Sequence, residues 1–486
     1  AMNYMLAFNK AEDIIWYWDE PTITLDYENH EFHDILKRNW KENMIPNIVL
    51  SSATLPKQEE ISLFCQSFMM KFKTTNLYDI NSNDCAKTIP VLNSKCEVVL
   101  PHYMFSSFEN VKKCVKHIKS YSTLLRHFDL KEISKFIIYI NKNLKSLKER
   151  YKVENYFEKV EDIDSISLKE YYLKLLLQTK DKYEEIYIYF KNKRKPLYES
   201  TIKITTNDSY TLTNGPTIYL ADNVDKIAQY CLKTAKIPEK MLQSILDDIY
   251  RNDNIAEQIA SIENQINKEE VKEDTRKGSD KYGTGKSKKE KNIGNTGKDI
   301  QNLQEKLEGL RGLIKDIQLA EDYIPNSYSH LKLWKKEHIK NAFTSSISDN
   351  IIRKIMLLDV DSLWKFLLMM GIGVFKKYGF KDVKKKKAYR DYSAIMSQLA
   401  NEQHLYLIIA STDYIYGTNY QFCHGYIGKD LENLTQEKTI QAFGRIGRSN
   451  AKQDYSIRMR NDNLIYKLFT KQIDKMEVKN MNKLFS

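Results

Sequence analysis

Two stretches decide how this chain folds: IIWYWDEPT at residues 14–22 and IPNIVLSSAT at residues 45–54. Each is an apolar, aromatic or β-branched run of strand length that stops abruptly at small polar residues. That pattern reads as a buried parallel strand whose C-terminal end releases a polar loop. A helix is expected between them, from about Glu31 to Asn43, which completes a strand-helix-strand unit. Ligands of such sheets collect at the C-terminal strand ends, so Asp19-Glu20-Pro21-Thr22 and Ser52-Ala53-Thr54 become candidate site residues.

Outward from this unit, a further strand is expected near Glu97 to Pro101. Residues from about Phe108 to Lys195 are rich in lysine and tyrosine and helical in period, an insertion or a separate helical domain. TIYLADN at 217–223 reads as a strand and Val224 to Thr234 as a helix, the opening of a second α/β domain. Ile255, Ile259, Ile262 and Ile266 recur four and three apart, as do Ile300, Leu303, Leu307, Leu310, Ile314 and Ile317. Matching seams of this kind predict an antiparallel coiled-coil hairpin. The stretch 267–298 between them is nearly devoid of apolar side chains and is expected to be a disordered tip. LYLIIAST from Leu405 is a strongly apolar strand, and a helical tail follows Asn461. The resulting division is 1–105, 106–200, 201–236, 237–322 for the hairpin, 323–460 and 461–486.

A chain of 486 residues is too long for one ordinary core, so two or three domains are expected. Its formal net charge of +12 favours a polyanionic partner, nucleic acid first. The six cysteines, Cys65, Cys85, Cys96, Cys114, Cys231 and Cys423, form no CxxC pair and stand near no histidine cluster, which argues against a zinc site or a disulfide framework. No apolar run reaches the roughly 20 residues of a membrane span. An intracellular, soluble protein is the expectation. The opening Ala-Met resembles an expression scar in front of a chain that begins inside a domain, so a fragment is expected.

Chemistry concentrates in a few places. Asp19-Glu20 at a strand end suits metal-assisted phosphoryl transfer, one carboxylate holding Mg²⁺ through water and the next orienting the attacking water, although an isolated Asp-Glu pair serves equally well as a helix cap. Ser52 and Thr54 offer small hydroxyls at the neighbouring strand end. In QAFGRIGR at 441–448 the glycines allow close backbone approach, while Arg445 and Arg448 can project toward a phosphate. Gly283-Thr284-Gly285-Lys286-Ser287 looks like the end of a phosphate-binding loop, but aspartate stands at position 280 and both flanks are charged linker. Lys384, Lys385, Lys386 and Lys387, with Lys376, Lys377 and Lys381 before them, are either phosphate contacts or a solvated run. The similar run Lys112, Lys113, Lys116 and Lys119 reads as a solvated helix face.

In their order along the chain, DEPT (19–22), SATLP (52–56), ASTDYIYGTNY (410–420) and QAFGRIGR resemble motifs II, III, V and VI of the superfamily 2 helicases. TIYLADN is similar to a degenerate motif IV. The resemblance implies an α/β fold of RecA-like helicase domains, a partial first and a complete second, carrying the helical insertion and the hairpin. It implies ATP and Mg²⁺ as cofactors and single-stranded or duplex nucleic acid as partner. Carried over residue by residue, Asp19 holds Mg²⁺ through water and Glu20 is the general base. Ser52 and Thr54 couple hydrolysis to domain movement, and Thr412 touches the nucleic-acid backbone. Gly417 and Gly444 lie at the nucleotide, Gln441 senses the attacking water, Arg445 contacts phosphates and Arg448 is the arginine finger.

Motif I is absent from this chain, so the chain alone is expected to bind ATP poorly and not to hydrolyse it. The rival expectation is a non-catalytic scaffold derived from a helicase, with a protein partner at the hairpin. Heavy use of lysine, asparagine, isoleucine and tyrosine is the style of an AT-rich coding genome. A large DNA virus is the source that style suggests, with a virus factory or virion as the location.

Overall fold

A computed structural model describes residues 2–73, 76–81, 85–197, 215–279, 290–334, 343–376, 383–415, 420–447 and 454–486. The chain is mixed α/β, with two parallel sheets. The smaller pairs β1 (Ile15–Asp19) with β2 (Asn47–Ser51) in a register that sets Asp19 opposite Ser51. Between and after these strands lie α1 (Phe32–Glu42) and α2 (Ser62–Phe72).

Alternation along β1 sends Trp16 and Trp18 to one face, where their rings stack at 4.9 Å. They meet Trp40 of α1 and Phe64 of α2, whose rings lie 4.6 Å apart. The opposite face is not buried as the sequence suggests: Ile15 is 68% and Tyr17 60% exposed, so the sheet has one covered side. A continuous apolar run cannot by itself say whether one face or two will be covered.

The larger sheet has six parallel strands in the order β3-β8-β7-β4-β6-β5. These are β3 (Val91–Leu92), β4 (Thr217–Leu220), β5 (Ile372–Phe375), β6 (Leu407–Ala410), β7 (His424–Ile427) and β8 (Ser456–Met459). The strand expected at 97–101 does not form. The Asn93 side chain accepts from the backbone N–H groups of Lys95 and Glu97 and bends the chain there, and Pro101 opens a short helix. The strand lies earlier instead, and β3 pairs with β8 in the larger sheet, which moves residues 91–105 out of the first unit.

The helical region packs onto the larger sheet. Its first helix, α3 (Phe108–Ser120), and the helices up to Lys193 share one continuous apolar core with the six-stranded sheet. Arg126 donates to the carbonyls of Ile446 and Gly447, and the His127 ring lies 4.9 Å from that of Phe443.

Two long helices, α4 (Lys240–Ser279) and α5 (Glu290–Arg311), pack side by side through Ile262, Ile266 and Leu307. The Arg311–Glu263 and Lys315–Asp248 ion pairs set them antiparallel. Ile314 leaves the expected seam and is exposed, because α5 ends at Arg311 before Gly312. Within the expected tip 267–298, residues 267–279 continue α4 and residues 290–298 belong to α5, since lysine and glutamate propagate a helix once it is nucleated; the residues between lie outside the described ones. Gly283 to Ser287 lie outside the described residues.

Farther on come α6 (Val383–Asn401), α7 (Gln436–Phe443) and α8 (Met476–Leu484). The last returns to the first unit, where Met481, Leu484 and Phe485 enter the core beside Trp18, Trp40 and Phe64. All six cysteines are buried and unpaired in disulfides. No helix among the described residues is long and apolar enough to cross a membrane.

Because Phe485 is only 1% exposed, Phe485→Ala is expected to cost about 3–5 kcal/mol through the cavity it leaves. Urea unfolding should report that loss, and amide exchange should quicken in α1 and α2 before it does in the six-stranded sheet.

Candidate functional site

The register of β1 and β2 brings their C-terminal ends together. Asp19 is exposed at the end of β1, with no basic partner among the described residues. Glu20 follows in a left-handed conformation, φ 51°, and its backbone N–H donates to the Ser51 carbonyl at 2.7 Å. A non-glycine residue held there stores of order 1 kcal/mol of strain, so its neighbours must fix it. They do so on the side chain. Ser52 Oγ donates to Glu20 Oε2 at 2.8 Å, lies 3.4 Å from Thr22 Oγ1, and accepts from the Thr54 backbone N–H at 3.2 Å.

Across the cleft stands α7. Its sequence, QEKTIQAF, is polar over most of its length, yet Gln436, Glu437, Lys438, Thr439 and Gln441 are all buried. Such a helix is stable only if other elements satisfy each polar side chain. At its C-terminal end the Gln441 amide donates to Thr54 Oγ1 at 2.8 Å and approaches Glu20 Oε2 at 3.4 Å. Gln441 Oε1 is buried with no partner among the described residues and faces the same polar cluster.

One turn earlier, Lys438 Nζ donates to Asp26 at 2.8 Å and to the Tyr27 hydroxyl at 3.1 Å, and Tyr27 in turn donates to Asp413 at 3.1 Å. Burial pulls the Lys438 pKa down, but Asp26 and Tyr27 outweigh it and leave the ammonium held above its usual range. At the N-terminal end, Lys475 bridges Glu60 at 2.9 Å and Glu437 at 3.4 Å. Thr435 Oγ1 donates to Glu477 Oε1 at 2.8 Å. Burial, then the nearby charges of Glu437 and Asp26, push the Glu477 carboxyl up to about 7.

Glu20, Ser52, Thr54 and Gln441, each singled out by sequence, thus meet within hydrogen-bond reach. Gly444 follows α7 as its C-cap residue and Arg445 is buried at 9% exposure. Gly447 needs glycine for a different reason from phosphate approach: its φ is +70°, and an added Cβ would lie 2.5 Å from Ile89. Thr412 is half-buried in the turn after β6, next to Asp413. Lys384 to Lys387 are exposed in the first turn of α6, away from the Glu20 network, while Lys376 pairs with Asp225. Gly417 and Arg448, with Lys377 and Lys381, lie outside the described residues.

Sequence reasoning missed Asp26, Tyr27 and Lys438. The available signal was Lys438 itself, three residues before Gln441 and so on the same helix face. Compared with known proteins, the chain matches no protein-family model and has no significant match among curated proteins.

Glu477 supplies a pH test. Its folded pKa lies above the unfolded value of 4.5, so its contribution to stability is fully present below about 4.5 and is lost as pH rises through about 7. Glu477→Gln should keep the Thr435 contact, flatten the stability profile across that window and leave the protein more stable than its parent at pH 8. Urea midpoints at pH 5 and pH 8 measure this.

Proposed function

We propose that this chain belongs to a nucleic-acid-dependent ATPase of the superfamily 2 helicase type, in which the cleft between β1–β2 and α7 is the hydrolytic site. One observation carries the reading: Gln441 reaches across to both Glu20 and Thr54, uniting three sequence motifs far apart in the chain. A carboxylate oriented by a serine and an amide is placed to position a water for in-line attack on a phosphoryl group. Asp19, exposed beside it and without a basic partner among the described residues, suits a Mg²⁺ held through water, which would neutralise charge on the phosphates.

On this reading the chain's own residues do the following. Glu20 accepts the proton of the attacking water, and Ser52 keeps its carboxylate aimed. The Gln441 Oε1 left over would accept a hydrogen bond from the other O–H of that water, which stays on the oxygen that attacks. Arg445 and Arg448 would contact the phosphates, as the resemblance implies. Thr54 passes any change at the carboxylate to α7, and Lys438 passes it on to the Asp26, Tyr27 and Asp413 cluster beside Thr412. Thr412 and Lys384 to Lys387 would meet the nucleic-acid backbone without reading its sequence. The packed helices α4 and α5 would act as a coiled-coil arm for a partner protein.

The experiment is ATP turnover by the protein, with and without single-stranded RNA or DNA. Turnover stimulated by one of the strands should fall by about 10²-fold or more in Glu20→Gln, the usual worth of a positioned general base. Absent turnover with intact nucleic-acid binding would favour a non-catalytic scaffold instead.

A further inference from the structure

A cavity of about 680 Å³ opens away from the Glu20 cleft, between α3, the loop that follows Thr54 and the loop that precedes α8. Five lysines and only two glutamates line it, so it is strongly electropositive. Lys475 is already committed to Glu60 and Glu437. Lys113, Lys116 and Lys471 are exposed and have no carboxylate partner among the described residues, and Lys57 lies over the Tyr121 ring. Three separate segments therefore aim uncommitted ammonium groups at one concavity. On α3 these are the very lysines whose sequence reads as a solvated face.

The cavity wall adds a more specific group. His117 is 4% exposed, and its Nδ1 has no hydrogen-bond partner among the described residues. Burial, with Lys475 and Lys471 nearby, lowers its pKa, so the ring is neutral and carries one proton. The Gln436 amide lies 3.1 Å from His117 Nε2 and can donate to it. The Leu468 carbonyl lies 3.3 Å from the same nitrogen and also accepts from Gln436 at 2.8 Å. Nε2 is thus engaged whichever tautomer the ring adopts, and Nδ1 is the polar atom of the ring left over in the cavity wall.

We infer that this cavity binds a small polyphosphorylated anion of about triphosphate size, held by Lys57, Lys113, Lys116 and Lys471, with His117 in its wall. An extended anion fits better than a single phosphate, because the lysines come from three segments and one phosphate cannot serve them all. The volume matches an anion of that size, and loops from both α/β units border the cavity. Since Lys57 lies three residues beyond Thr54, a bound anion would also tie the first unit to the rest of the chain. The inference does not depend on the proposed ATPase.

The test is calorimetric titration of the chain with inorganic tripolyphosphate. Binding should weaken by more than about tenfold in Lys113→Glu/Lys471→Glu, which removes two charge-assisted contacts at exposed positions. It should be unchanged in Lys142→Glu/Lys148→Glu, which alters net charge equally at exposed positions outside the cavity lining. Orthophosphate should bind at least about tenfold more weakly, having fewer such contacts to make. Two results would overturn the inference. They are equal weakening by the two double variants, and a single-stranded oligonucleotide occupying the same lysines more tightly than tripolyphosphate.

Discussion

A helix as polar as α7 can be buried only where its surroundings have been arranged around it, and that constraint organises the molecule. Gln436 is held by the carbonyls of Lys467, Leu468 and Thr470, Glu437 by Lys475, Lys438 by Asp26 and Tyr27, and Gln441 by Thr54 and Glu20. Each partner belongs to a different segment, and two of those segments are in the first α/β unit. Leaving any one of these groups buried and unpaired costs about 1–3 kcal/mol, more for the charged ones. The helix therefore fixes the position of the first unit more firmly than apolar packing alone could, because hydrogen bonds and ion pairs are directional.

The first unit is poorly able to hold itself. Its two strands have one covered face, and much of its core comes from the far end of the chain through Met481, Leu484 and Phe485. It is thus tied to the rest of the molecule at two places, by α8 beneath it and by the α7 contacts at its strand ends. The second tie is polar and depends on proton positions and local charge. A ligand that changed the charge at Glu20 would act on that tie directly.

Much of this was legible in the sequence. The ends of β1 and β2 could be read because apolar runs stop at Asp19 and Ser51, and β4 and β6 because they are short, apolar and bounded by polar turns. Glu20, Ser52, Thr54 and Gln441 could be chosen because their chemistry makes sense only together. Other features escaped because they are set by partners distant in the chain. The Lys438–Asp26 pair spans 412 positions, and although Lys438 shares a helix face with Gln441, nothing around Asp26 points to it. The exposed face of β1 depends on which layers pack against the strand, which its own residues do not encode. Asn93 overrode an apparently good strand at 97–101 through side-chain hydrogen bonds to its own backbone. The need for glycine at 447 comes from Ile89, a neighbour in space alone.

The measurement that bears most directly on this account is a double-mutant cycle between Thr54 and Gln441, using Thr54→Ala, Gln441→Ala and the double variant in urea unfolding. If α7 registers the first unit through this contact, the two substitutions will be non-additive, with a coupling of about 0.5–3 kcal/mol. Additivity to within about 0.3 kcal/mol would mean the contact does not join the two units and would contradict the account.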